Sequence, residues 1–477
     1  MLAAGMMMLA TVPSYAQSTP VVSGDRIRAD MKTLSSDSFG GRKPGTPSER
    51  MTTEFIISRF KDAGLAPAAG QGWLQPVKLV SRRMRSASLV LRGPDGSTAD
   101  LSDAVAMVGS EPSVVLNSVP VVWDEFVGKA TASGVAGALI LYRDGDPPGL
   151  PQPQATDGVT RLSALAAAGA RGALVVVADD AFPKRKAALE AGITTLASDP
   201  TLIVRGIITE SAARRVIEAP APLRADAKVS TDITEFTSYN VAGVLKGARQ
   251  PDEYVLYTAH WDSFGRCRPG EADEICNGAI DNASGTAGMI ELARAFASGP
   301  RPDRSVLFLA TTAEEMGLAG SRQYARTPLV PLSRTVAEFN LDVIVLYERG
   351  NTAGFVGAGF TDADSVFERL VTAQGRTLET GQLARMVVRS SDAWSLLMAG
   401  VPAFILSGAI GNGAEGSKAF HDYLATRYHQ PSDEFHASMP MGGAVEEVEL
   451  LYAAGLYYAT MGTNIRFKPE SAFQRKE

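Results

Sequence analysis

From Tyr254 onward the chain repeats one unit: a continuous apolar run, a loop, then a segment with helical spacing. Tyr254 to Ala259, Ser305 to Ala310 and Val336 to Leu341 do not alternate polar with apolar residues, so each predicts a strand buried on both faces. Thr286 to Ala297 and Ala319 to Ala325 predict helices between them. Such strands need helices on both sides, which predicts an α/β chain with a mixed, mostly parallel central sheet flanked by helices.

The rest of the chain is organised around that unit. A polar linker, Gln17 to Gly24, precedes a short helix expected over Ile27 to Leu34. Gly40-Gly41-Arg42 and Pro44-Gly45-Thr46-Pro47 form a turn-rich loop, and Glu49 to Ala63 predicts a helix stopped by Gly64. Alternating Ser86 to Leu91 reads as a strand. Between Met107 and Ala225 the pattern changes to short apolar runs punctuated by Gly and Pro, with one small helix expected at Arg161 to Ala168. The division expected is a signal peptide at 1–16, a first part of the main domain at 24–106, a β-rich insert at 107–230, and a second part at 231–470.

Composition narrows the partners. At 477 residues, 45% hydrophobic and 21% charged, the chain is long enough for two or three domains with sizeable cores. A net charge of −6 gives no reason to expect nucleic acid or an anionic membrane. No apolar run beyond the first residues reaches the roughly 20 needed to span a bilayer. Met1 to Val12 is apolar and nearly uncharged, and Ser14-Tyr15-Ala16 offers the small residues of a cleavage site, so a secreted or periplasmic protein is expected, although the usual basic residues are missing. The two cysteines, Cys267 and Cys276, bracket a polar loop. In an exported protein they predict one disulfide, the rival reading being a pair of thiolate ligands.

The predicted strands all end on the same kind of residue. His260 follows the first, Glu314 and Glu315 follow the second, and Asp342 ends the third. Asp281 lies in the turn Gly278-Ala279-Ile280-Asp281-Asn282-Ala283-Ser284-Gly285, and His429 in Tyr428-His429-Gln430-Pro431. Sites in open α/β sheets form beyond the carboxyl ends of the strands, so these side chains are expected to converge. The chain has four histidines. His421 and His436 lie outside this pattern and read as surface residues.

Carboxylates and imidazoles in this number suit two adjacent divalent ions, which clamp a water, lower its pKa and polarise a carbonyl. One carboxylate must lie between the ions, and neutral imidazoles complete the shells without excess charge. Asp262, two residues beyond His260, is placed to accept the other ring N–H. One further carboxylate must stay off the metals to move protons, and adjacent Glu314 and Glu315 can divide those duties.

The ordered set resembles the co-catalytic zinc peptidases typified by bacterial secreted aminopeptidases and glutamate carboxypeptidase II, including relatives that carry a protease-associated insert. The resemblance covers most of the chain, including Leu34 to Thr46 and Ser391-Asp392 before Val401-Pro402-Ala403. It implies two Zn(2+) per chain and peptide substrates cut at the N-terminal bond. His260 and Asp342 would bind one zinc, Glu315 and His429 the other, and Asp281 would bridge them. Glu314 would be the general base and acid, Asp262 would support His260, and Tyr428 would donate to the developing oxyanion. Pro431 and Asp433 would shape the loop holding His429. Asn282-Ala283-Ser284 matches a glycosylation triplet by letters only and reads as structural.

Three other readings stand beside the aminopeptidase. A carboxypeptidase or dipeptidase would need a basic cluster, for which Arg385 and Arg389 are candidates. A glutaminyl cyclase-like acyltransferase would use one zinc. A non-catalytic receptor would have lost ligands. The long segment between Asp262 and Asp281, Ala393 and the Gly-rich stretch Ser407 to Lys418 make this side of the pocket individual.

Overall fold

The computed structural model describes residues 21–477, apart from 71, 127–134, 144–157, 380–387, 409–414, 461, 470, 472 and 474–477. The signal peptide expected at 1–16, Arg385 and most of the Gly-rich stretch after Ser407 lie outside the described residues.

The continuous apolar runs form the centre of a mixed sheet. Gln250–His260 pairs in parallel with Arg304–Thr311 on one side and with Thr335–Asn340 on the other. Thr335–Asn340 pairs in parallel with Ala403–Ser407, and Thr352–Val356 with Thr377–Glu379. Thr352–Val356 pairs antiparallel with Ala403–Ser407, and Arg224–Leu245 antiparallel with Arg304–Thr311. Every residue of Arg304–Thr311 and of Thr335–Asn340 is buried, as strands covered on both faces require.

One face packs on the helices Gly24–Leu34, Pro47–Asp62, Gly285–Ser298 and Gly442–Thr460. Its centre is aromatic. Tyr257 and Phe308 stack with centroids 5.5 Å apart, and Phe296, Phe339, Phe367 and Phe404 continue the layer. Each such ring contributes about 1.5–3 kcal/mol by burial. The Tyr257 hydroxyl donates to the Leu451 carbonyl at 2.6 Å, and only a glycine at 455 leaves room, since a Cβ there would lie 1.8 Å from that oxygen. The opposite face is covered by Ala319–Arg326 and Asp392–Met398, around Leu256, Leu307, Leu309 and Trp394.

Residues between Ala87 and Val229 pack around cores of their own, among them Leu89, Val105, Leu139, Leu174, Val204 and Ile208. Four strands here, Ser113–Trp123, Leu139–Arg143, Gly172–Val177 and Val204–Thr209, are parallel neighbours, closed by antiparallel Val105–Gly109. Beside Gly158–Ala167, two helices absent from the sequence reading occur, Phe182–Ala191 and Glu210–Ile217. The strands Leu74–Arg92 and Arg224–Leu245 tie this region to the main sheet. They pair continuously from Arg92↔Arg224 to Leu74↔Val241, with one irregularity at Ser230/Thr231. Among the described residues, no helix is long and apolar enough to cross a membrane.

Candidate metal centre

His260 is the last residue of its strand and is buried. Its Nε2 lies 3.1 Å from Asp281 Oδ1 and 3.5 Å from Asp342 Oδ1. The other oxygen of Asp281, Oδ2, lies 3.4 Å from His429 Nε2, which is 3.1 Å from Glu315 Oε2. Two triads result, His260–Asp281–Asp342 and Asp281–Glu315–His429, each with ligand atoms within 4.8 Å of one another, and Asp281 belongs to both. All five side chains singled out as ligands are therefore brought together.

These atoms suit cations. The Nε2 atoms of both histidines, Asp342 Oδ1 and Glu315 Oε1 are buried and accept or donate no hydrogen bond within the protein. Buried polar atoms are normally paired, so a cluster of lone-pair atoms turned towards one another fits divalent ions with mixed N and O ligands. The Asp262 carbonyl lies 3.2 Å from His260 Nδ1, and an N–H donated there leaves the Nε2 lone pair facing the carboxylates. Electrostatics agree. Burial disfavours a charged His429 ring, but Asp281 and Glu315 outweigh it and raise its pKa to about 9. Burial, then Asp281, raises the Glu315 carboxyl to about 8. The Asp281 carboxyl is held low despite its burial, because both imidazoles lie beside it. The site draws in positive charge.

These candidate ligands are held from behind by hydrogen bonds. The carboxylate of Asp433 accepts the backbone N–H groups of Ile280, at 3.0 Å, and Asp281, at 3.0 Å, and the hydroxyl of Tyr423 at 3.0 Å. Asp433 thus fixes the Asp281 turn, not only the His429 loop. Asn282 is fully buried: it donates to the Leu341 carbonyl at 2.9 Å and accepts from Gly285 N–H at 2.8 Å, which locks the Asp281 turn to the Asp342 strand. The Asp281–Asn282 peptide is cis. Thr286 donates to the His260 carbonyl at 2.8 Å.

Asp262 acts differently from the expectation. Its Oδ1 lies 3.7 Å from His260 Nδ1, beyond hydrogen-bond distance, whereas its carboxylate accepts the backbone N–H of Glu314 at 3.0 Å and of Glu315 at 3.4 Å. It orders the turn that carries both glutamates. Glu314 belongs to neither triad. Its carboxyl is pushed well above the usual range by burial and by Glu315, Asp342 and Asp392, against the pull of His260. Tyr428 stacks on His429 with centroids 3.6 Å apart, and Phe264 meets the same imidazole edge-on at 4.4 Å. Burial and the surrounding carboxylates, Asp281 and Glu315 first among them, hold the Tyr428 phenol far above its ordinary value.

Arg42 is the residue whose role the sequence did not disclose. Fully buried, it donates from Nε to the Trp261 carbonyl at 2.8 Å, from Nη1 to those of Leu34 at 3.0 Å and Asn277 at 2.5 Å, and from Nη2 to Gly278 at 2.8 Å. One guanidinium thus joins the backbone after His260 to the backbone before Asp281. An arginine inside Gly40-Gly41-Arg42 was the available signal. Cys267 and Cys276 form a disulfide in the segment between the same two ligands, with Cα atoms 5.7 Å apart. Arg389 lies over the Trp394 ring at 5.7 Å.

Comparison with known proteins adds to this geometry. Residues 240–451 match the sequence signature described as Peptidase family M28. Over 115 residues the chain is 40% identical to Aminopeptidase NAALADL1 of Mus musculus, covering 23% of this chain and 14% of that protein. Over 114 residues it is 39% identical to Aminopeptidase YwaD of Bacillus subtilis strain 168, covering 23% of each. The matched stretch therefore spans less than a quarter of these relatives' own length. In three dimensions the chain is similar to an aminopeptidase from Aneurinibacillus sp. strain AM-1, with TM-score 0.59 at 18% identity, covering 96% of this chain and 97% of that one. It is also similar to a zinc aminopeptidase from Bacillus subtilis, with TM-score 0.51 at 20% identity, covering 96% and 98%. At these identities the likeness speaks for the fold.

Proposed function

We propose that the chain, whose residues 240–451 match Peptidase family M28, is a zinc-dependent aminopeptidase holding two zinc ions and hydrolysing the N-terminal bond of peptides. The observation that carries this reading is Asp281, whose two oxygens face His260 and His429 separately. His260 and Asp342 would hold one ion, Glu315 and His429 the other, and Asp281 both. Five ligands in two triads favour two ions over the single zinc of a cyclase.

Zinc, when bound, supplies a Lewis acid for the scissile carbonyl and a lowered pKa for the attacking water. The chain's own groups do the rest. Glu314, outside both triads, accepts a proton from the water as its oxygen bonds to the carbonyl carbon, then delivers it to the nitrogen as the C–N bond breaks. Its carboxyl, raised by burial and by the neighbouring acids, would return to use as a base with cations bound nearby. Tyr428, protonated throughout the working range, donates to the carbonyl oxygen as negative charge develops. Asp262 keeps Glu314 in position through its backbone N–H.

Export to the periplasm or medium accompanies this proposal, supported by the apolar first residues and by the disulfide, which suits an oxidising compartment. Residues 107–230 would be the protease-associated type of insert. The deciding experiment replaces Glu314 with Gln. Bound zinc should stay at two per chain while turnover of free-amine aminoacyl anilides falls about 10²–10⁴-fold. Undiminished turnover would remove Glu314 from the mechanism, and preference for N-terminally blocked dipeptides would replace the aminopeptidase with a carboxypeptidase.

A further inference from the structure

Away from the metal centre, two arginines face one small core with no ion-pair partner among the described residues. Ile207 of Val204–Thr209 and Met84 of Leu74–Arg92 pack in that core with Phe182 and Leu189. Two residues back along each strand, hence on the same face, come Arg205 and Arg82. Arg205 has two buried nitrogens, Nε and Nη2, with no hydrogen-bond partner, and Arg82 has its Nε in the same condition. The Nη1 of Arg82 makes one long contact, 3.3 Å to Thr195 Oγ1. Among the described residues neither guanidinium has a carboxylate at ion-pair distance.

The nearby carboxylate is already taken. Asp199 pairs with Arg322 and, at 2.8 Å, with Arg326, both on the helix Ala319–Arg326 that follows the Glu314–Glu315 turn. Burial and the positive charge of Arg82 lower the Arg205 pKa to about 10, against the pull of Asp199. Glu235 acts on Arg82 without reaching it. Arg205 is half-buried overall and Arg82 is buried, so solvent reaches the pair from the Arg205 side.

A buried guanidinium without an anion is costly, and unsatisfied buried donors call for a partner. Water can accept the N–H bonds but does not offset two like charges. The fork of N–H donors on each arginine matches the oxygens of a phosphate or carboxylate. We propose that Arg82 and Arg205 form a binding site for a small oxyanion, at the junction between the region from Ala87 to Val229 and the helix beyond the Glu314–Glu315 turn.

The test is equilibrium dialysis of the intact holoenzyme with inorganic phosphate, with thermal unfolding against chloride at matched ionic strength. Wild type is compared with Arg205→Met and Arg82→Gln. Phosphate taken up by the metal centre is common to all three and cancels. Wild type should bind one more phosphate per chain than either variant and should gain melting temperature saturably, as ligand linkage requires. In phosphate-free buffer Arg205→Met should melt no lower than wild type, because an uncompensated charge has been removed. Equal uptake by all three proteins, or a lowered melting point for Arg205→Met without phosphate, would overturn the site. Acetate in place of phosphate separates the ligands: protection by acetate alone identifies a carboxylate, protection by phosphate alone a tetrahedral oxyanion.

Discussion

Glu447, on the helix Gly442–Thr460, offers a quantitative test of the packing against the central sheet. Its carboxyl, fully enclosed, accepts from the Ser407 hydroxyl at 2.7 Å and the Tyr347 hydroxyl at 2.8 Å. Burial outweighs both bonds and raises its pKa from 4.5 to about 8. The folded protein therefore binds a proton that the unfolded chain releases anywhere between those values, and stability must fall as pH rises through that window. The distance from 4.5 to about 8, at about 1.4 kcal/mol per pH unit, amounts to roughly 4–5 kcal/mol. Glu447→Gln keeps the shape and an acceptor oxygen but cannot ionise. Between pH 5.5 and 8.5 wild type should lose roughly 3 kcal/mol relative to the variant, seen as a melting-temperature difference that grows by roughly 3 °C. The assay is paired thermal unfolding across that range in one buffer series. Parallel curves would mean that Glu447 ionises normally in the fold, and the enclosed Tyr347–Glu447–Ser407 network would be wrong.

Other perturbations address the metal centre. Arg42→Lys keeps a charge but not the fork that reaches four carbonyls, and should weaken zinc binding about 10–100-fold in a chelator competition; unchanged affinity would relieve Arg42 of its positioning role. Asp433→Ala frees the two N–H groups before and at Asp281 and should lower zinc affinity by a similar factor of about 10–100 while free-amine substrate preference stays the same. Replacing Cys267 and Cys276 by Ser opens a loop of sequence separation 9, which should cost about 2–3 kcal/mol in denaturant unfolding, with reductant having no further effect on the variant.

Most of the candidate ligands were readable in the sequence because they follow strands whose apolar runs are unbroken, so strand end and chemistry coincide, whereas Asp281 and His429 stood out by their turn and loop settings. His260, Asp342 and the two glutamates belong to this group. Asp262 was readable as a supporting residue but not in its partner: two residues beyond a strand end, its carbonyl and carboxylate have separate targets, and only the fold decides between them. Arg42 escaped because its acceptors are backbone carbonyls, which every residue possesses. The helix Phe182–Ala191 was missed because only Phe182 and Leu189 are buried along it, too few to print a period. In Glu210–Ile217 the buried residues are adjacent alanines, which carry little hydrophobic signal. The strand expected over Ser86 to Leu91 proved to run from Leu74 to Arg92, since its outer parts pack on different cores with different patterns.

That length has a mechanical meaning. Arg224–Leu245 pairs with Ser113–Trp123 at one end and with Arg304–Thr311 at the other. The intervening region is thus spliced into the main sheet by a shared ladder, with no slack tether on which to swing. Cutting at a conventional domain border would sever rungs that serve both parts, and a shortened protein made that way should aggregate along the exposed edge.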